Sequence, residues 1–149
     1  PIDDFDVFRL LNLWTAEQKE LNFPIYSYLE SITSSARSQD GQFLSVGMSD
    51  ADIAIWNLQT GEVFDFVAGT ELPGRMDRSG PIRQMVFSPD TRTHLLVSVV
   101  DDYQKALLWD LDRRKAILDL QQVAQVGFTP DGRYLVTRAN GELYVWGLK

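Results

Sequence analysis

Cysteine is absent from the sequence and histidine occurs once, at His94. Disulfides, thiol catalysis, zinc fingers and His-rich metal centres are excluded together. Cations are in deficit, with 14 Lys and Arg against 21 Asp and Glu and a formal net charge of −7. That balance argues against nucleic acid as a partner, because phosphate binding rests on clustered Lys and Arg. No apolar run approaches the roughly 20 residues needed to span a bilayer, so no membrane partner is expected. Neither an initiator Met nor a signal-peptide pattern opens the chain, and Pro1 is not expected to be the start of the gene product. A cysteine-free composition fits an intracellular, cytoplasmic location. What remains is ample for a core: 149 residues, 44% hydrophobic and 11% aromatic, a length that suits one domain.

The sequence repeats. Ile53-Ala54-Ile55-Trp56-Asn57-Leu58, Ala106-Leu107-Leu108-Trp109-Asp110-Leu111 and Leu143-Tyr144-Val145-Trp146-Gly147-Leu148 share one register. Phe8-Arg9-Leu10-Leu11-Asn12-Leu13 fits the same frame with Leu11 in the tryptophan column. The spacings of 45, 53 and 37 residues bracket the period of four-stranded repeat units. A turn motif leads each tryptophan: Ser38-Gln39-Asp40-Gly41, Ser88-Pro89-Asp90-Thr91 and Thr129-Pro130-Asp131-Gly132. Pro presets φ at the second turn position, and Gly takes positive φ without a steric cost at the fourth. Thr91 replaces glycine in the middle copy and one extra residue precedes Leu96, so a wider turn is expected there.

Runs rich in β-branched, aromatic and leucine residues flank these turns, as strands require. Strands are expected at Ile32–Arg37, Ile82–Phe87 and Val123–Phe128 before the turns, and at Phe43–Gly47, Leu95–Val99 and Tyr134–Arg138 after them. A third strand ends near each Trp, and a fourth follows at Glu62–Val67 and Lys115–Leu120. The last copy stops at Lys149, before any fourth strand. No helix is expected over 32–149. In residues 1–31, Phe5, Phe8, Leu11 and Trp14 with Val7 suit a helical face capped by Asp3 or Asp4. The repeat register favours instead a third strand at Val7–Leu11 and a fourth at Lys19–Phe23.

Turn, apolar strands and Trp-Asp together resemble the WD40 family of β-propellers. The resemblance implies an all-β fold of four-stranded antiparallel blades stacked around a channel. It divides the chain into an end of a preceding blade or N-terminal closing segment (1–31) and blades at 32–67, 82–120 and 123–149. The structural positions of the repeat are Leu11, Trp56, Trp109, Trp146, Asp40, Asp90 and Asp131. Departures are clear. The Gly-His pair of the family is absent from every copy, only Trp109-Asp110 keeps the full dipeptide, and Arg37 stands where the others have Phe87 and Phe128. Without that histidine's network, the blades are expected to be held mainly by packing.

About three blades cannot close a ring that needs ~4–8. An open arc would expose two apolar sheet faces. The chain is therefore expected to be the C-terminal part of a larger propeller, with the remaining blades on another chain or in a cleaved segment. Asp4–Leu13 turning back as the missing outer strand, with self-association closing the ring, is the alternative.

Chemistry is sparse. Gly69-Thr70-Glu71-Leu72-Pro73-Gly74 has phosphate-loop spacing, but Arg75-Met76 stand where Lys and Ser/Thr are needed. His94, without a second histidine, reads as a surface turn residue. Asp101-Asp102 and Asp50-Ala51-Asp52 lack the spacing of a calcium loop and read as turn formers. Arg113-Arg114-Lys115 reads as a solvated turn. A propeller hydrolase would need an acid–base set on the first strands, which offer Ser34, Gln84 and Gln125. No catalytic residue, metal site or cofactor is therefore expected.

The long connection from Val67 to Ile82 stands out, because long loops on rigid scaffolds often carry recognition. Arg75, Met76 and Arg78, with Arg83, Asp50, Asp101 and Tyr103 on the same expected face, suit a protein or peptide contact. The expected function is a non-catalytic protein–protein interaction scaffold. The alternative is a sensor or regulatory propeller domain of a larger signalling or enzymatic protein.

Overall fold

Short apolar runs punctuated by Asp, Gly and Pro turns bury themselves most simply as antiparallel hairpins, and the backbone is built of these. A computed structural model describes residues 8–11, 13–21, 31–66, 80–101 and 104–148. An N-terminal hairpin pairs β1 (Phe8–Leu11) with β2 (Gln18–Leu21). A first blade follows with β3 (Ile32–Arg37), β4 (Phe43–Met48), β5 (Ile53–Asn57) and β6 (Val63–Phe66). The second holds β7 (Ile82–Phe87), β8 (Leu95–Val100), β9 (Lys105–Asp110) and β10 (Lys115–Leu120). The third holds β11 (Val123–Phe128), β12 (Tyr134–Ala139) and β13 (Glu142–Gly147). Each blade is an antiparallel meander in sequence order, and no helix occurs among the described residues. Phe8–Leu11 is thus extended rather than helical, while Phe5 and Val7 lie outside the described residues.

The blades superpose in register as well as in order. Trp56, Trp109 and Trp146 oppose Leu44, Leu96 and Leu135 on the neighbouring strand. All three first strands carry a bulge in the same place, at Thr33, Arg83 and Ala124. A bulge leaves one residue unpaired and re-aims its side chain. This irregularity has no composition signal in the sequence.

The turn chemistry also repeats. Gly41 and Gly132 have φ of 74° and 67°, the left-handed conformation expected of them. Their amides donate to Ser38 O and Thr129 O at 3.0 and 2.8 Å. Asp40, Asp90 and Asp131 each accept, through Oδ1, the amide two residues on at 3.0–3.1 Å. The middle turn is wider by two residues rather than one. Ser88 N donates to Leu95 O, seven residues on, whereas Ser38 and Thr129 reach Phe43 O and Tyr134 O, five residues on.

Burial follows from stacking. A sheet with neighbours on both faces must be apolar on both, and β8 and β9 are buried at every position. One core cluster lies between the first and second blades, joining Phe43, Ile53 and Ile55 to Ile82, Met85, Leu107 and Trp109. A second joins Leu95, Val97, Val99 and Leu108 to Val123, Val126 and Leu135, with Trp146 packed against it. Val46, Met48, Ala54 and Trp56 form a third on the outward face of the first blade. That end of the arc is buried, contrary to the expected exposure at both ends.

The other end is open: among the described residues β13 pairs only with β12. Leu143 and Val145 are 71% and 63% exposed there. Leu11 also differs from the tryptophans whose column it shares, lying exposed at the end of β1.

Candidate functional site

Two rims flank the sheets, and the blade meander decides which loops share each. One carries the β4–β5, β8–β9 and β12–β13 connections and the loops between blades; here the sequence places its partner-contact candidates. Asp50 Oδ1 accepts the Asp52 amide at 3.1 Å, across Ala51 with its φ of 73°. Asp101 receives Arg83 Nη1 at 3.3 Å. The guanidinium's Nη2 donates to Ala124 O at 2.7 Å and Val123 O at 3.1 Å, both in the next blade. Arg83 and Asp101 therefore come together, with Arg83 engaged in joining two blades. Arg75, Met76, Arg78 and Tyr103 lie outside the described residues.

That bulge residue is one case of a rule. Thr33 Oγ1 donates to Ile82 O at 2.8 Å, and Gln84 Nε2 to Val126 O at 3.2 Å. β3 and β7 thus each offer side-chain donors to carbonyls of the first strand after them. At Gly47 the first two blades touch so closely that a Cβ would fall 2.5 Å from Ile82 Cβ. The amide of Val123 donates to Gln104 O across the second junction. These ties add to the packing expected to hold the blades: bulged first strands free polar side chains to cap a neighbour's carbonyls.

The indoles are anchored too. Trp109 Nε1 donates to Ser98 Oγ at 2.9 Å and Trp146 Nε1 to Thr137 Oγ1 at 3.0 Å. Val46 holds the corresponding place in the first blade. Ser34 Oγ is buried with no hydrogen-bond partner, beside Gly47. Gln84, on the next first strand, donates instead to Val126 O.

The opposite rim carries the hairpin turns, and it holds a residue the sequence misassigns. His94 is not a surface turn residue. Its side chain is 11% exposed and bridges two carboxylates, Nε2 to Asp40 Oδ2 at 2.8 Å and Nδ1 to Asp112 Oδ1 at 2.9 Å. Asp40 belongs to the first blade and Asp112 to the second. The two extra residues of the 88–95 turn accompany this reach, and a partner 54 positions away leaves no local signal. Arg114 and Glu62 pair across the same junction at 2.5 Å.

Arg37, in place of a phenylalanine, lays its guanidinium against Gly41, where a Cβ would stand 2.7 Å from Nη2. Gly132 abuts the Ser88–Asp90 turn as closely, its would-be Cβ 2.8 Å from Asp90 Cβ. Nearby, a cleft of about 500 Å³ opens between β10 and the end of β13, lined by Leu108, Ile117, Leu118, Trp146 and Leu148 beside the Asp110–Arg113 ion pair. Its lining suits an apolar side chain. Among the described residues no group of three or more His, Cys, Asp or Glu is arranged to hold a metal ion. No described helix is long and apolar enough to cross a membrane.

Comparisons with known proteins agree with this geometry. No family model matches the chain. The chain is 28% identical over 135 residues to a periodic tryptophan protein 2 homolog of Neurospora crassa, covering 85% of this chain and 14% of that protein. It is 32% identical over 117 residues to the homolog of Mus musculus, covering 74% and 12%. A bromodomain and WD repeat-containing protein of Dictyostelium discoideum is 29% identical over 113 residues, covering 75% and 5%. The chain thus spans a small part of the relatives it matches. A chain in a crystal structure of a mitotic checkpoint complex shares the fold, with a TM-score of 0.69 at 17% identity, over 96% of this chain and 43% of that one. Stacked antiparallel blades of three or four strands, a tryptophan in one register and a relative whose name carries WD repeats make this chain a set of WD-repeat β-propeller blades.

Proposed function

We propose that the chain is a non-catalytic protein-interaction scaffold that works as part of a larger ring. The observation behind this reading is the third blade, whose outer face and outer edge stay open while the preceding blade is covered on both faces. An uncovered apolar sheet face in water favours association. Further blades, supplied by another chain, a cleaved segment or a second copy, are the partners that fit it. Light scattering with intact-mass analysis tests this. Assembly beyond 17.0 kDa, or co-purification with further blades, supports the reading, and a stable lone monomer contradicts it.

Protein or peptide binding is assigned to the rim of Asp50, Arg83 and Asp101, together with Arg75, Met76, Arg78 and Tyr103. Arg, Met and Tyr are enriched at protein contacts. A purified partner that binds the double variant Arg75→Glu/Arg78→Glu as tightly as the parent contradicts this assignment. A second reading, a regulatory propeller in a multidomain protein, is favoured by the relative whose name joins a bromodomain to WD repeats. The full open reading frame tests it, since a second folded domain is required.

A further inference from the structure

We propose that Asp40, His94 and Asp112 form a proton-dependent clamp that fastens the first blade to the second, closed while His94 is an imidazolium and loosened when it loses its proton. The geometry carries this. Each ring nitrogen faces a carboxylate oxygen, at 2.8 and 2.9 Å. A carboxylate only accepts, and a neutral imidazole has one N–H. In the neutral ring one nitrogen would therefore turn its lone pair toward an anion. Only the imidazolium satisfies both contacts.

Both carboxylates are held in place independently of the ring. Asp40 Oδ1 receives Ser38 Oγ at 2.6 Å and the Gln42 amide at 3.0 Å. Asp112 Oδ2 receives the amide of His94 itself at 3.0 Å. Phe43 of the first blade packs edge-on, with ring centroids 4.7 Å apart. The other charges of these turns are paired elsewhere: Arg92 with Asp90, Arg113 with Asp110 and Arg114 with Glu62. The charges acting on the imidazole are thus Asp40 from the first blade and Asp112 from the β9–β10 turn.

Burial by itself lowers the His94 pKa; the hydrogen bonds to Asp40 and Asp112 and their charges outweigh it, leaving the pKa raised above 6.5. Asp40 is held down at about 2, by the Ser38 bond first, then the Gln42 amide and His94. The signs give a window. The raised histidine stabilises fully below its unfolded pKa and ceases to do so as pH rises through its folded value. The depressed aspartate stabilises above its unfolded pKa and ceases to do so as pH falls toward about 2. The clamp is closed between those limits and opens on the alkaline side.

His94 is the single histidine of the chain, so its imidazole resonances are unambiguous in an NMR titration of the 149-residue protein with labelled histidine. The expected result is a midpoint above 6.5, with both ring nitrogens protonated below that midpoint. Asp40→Asn keeps a turn-capping oxygen but removes the charge; it and Asp112→Asn should each lower the midpoint, by roughly one pH unit. His94→Gln should flatten the fall in Tm that accompanies loss of the histidine proton as pH rises. A midpoint at or below 6.5, or one unmoved in both Asn variants while the Trp109 indole signal stays native, overturns the proposal.

Discussion

The second and third blades set equivalent strands in opposite surroundings. β9 and β13 share a register through Trp109 and Trp146, yet β9 is buried along its whole length and β13 is mostly exposed. Leu108 of β9 and Val145 of β13 hold the same place; the first is 2% exposed and the second 63%. Both strands are apolar on both faces, so the sequence of β13 is written for a neighbour on each side. The difference resides in what stacks against the strand, and it is the ground for the proposal that further blades cover the outer face of the third blade.

Truncation should separate the two blades most sharply at the tryptophans. Trp109→Ala removes an indole from between two sheets and should cost about 3–5 kcal/mol in chemical denaturation. Trp146→Ala should cost less than half as much, because its strand lies on an open edge. Equal costs would break the comparison. The aliphatic pair should follow: Leu108→Ala about 2–4 kcal/mol, Val145→Ala within about 0.5 kcal/mol. Once further blades cover the third, Val145→Ala should become costly, a switch readable in the assembled ring.

The smallest contrast is between two glycines. Gly47→Ala drives a methyl into Ile82 at the first junction and should cost about 1–3 kcal/mol. At Gly127 a Cβ meets nothing within 4 Å, so Gly127→Ala should be neutral or stabilise by up to about 1 kcal/mol. Thermal melts of the two variants against the parent check the pair.

Strands, turns and blade order were legible because they are local. A β-rich run, a Ser-x-Asp turn and a Trp at fixed offset each act within about ten residues, and Gly41 and Gly132 adopt the backbone their chemistry demands. The inter-blade ties were not legible. Thr33 carries no signal in the sequence, and Arg83 and Gln84 read as a partner-contact and a first-strand polar residue until a neighbouring blade presents its carbonyls. His94 is uninformative until Asp40 arrives from another sheet. Of the partner-contact residues, only Asp50, Arg83 and Asp101 lie within the described residues, and Arg83 already has partners that sequence spacing does not foresee.

The four tryptophans permit the most direct test, the hydrogen-exchange rate of each indole N–H by NMR. Trp56 and Trp109, nearly fully buried, should exchange slowest; Trp146, bonded to Thr137 at an open edge, should be intermediate; Trp14, 90% exposed, should be fastest. Trp109 exchanging as fast as Trp14 in the folded chain would mean that no second sheet lies across it, and the stacked-blade account would be wrong.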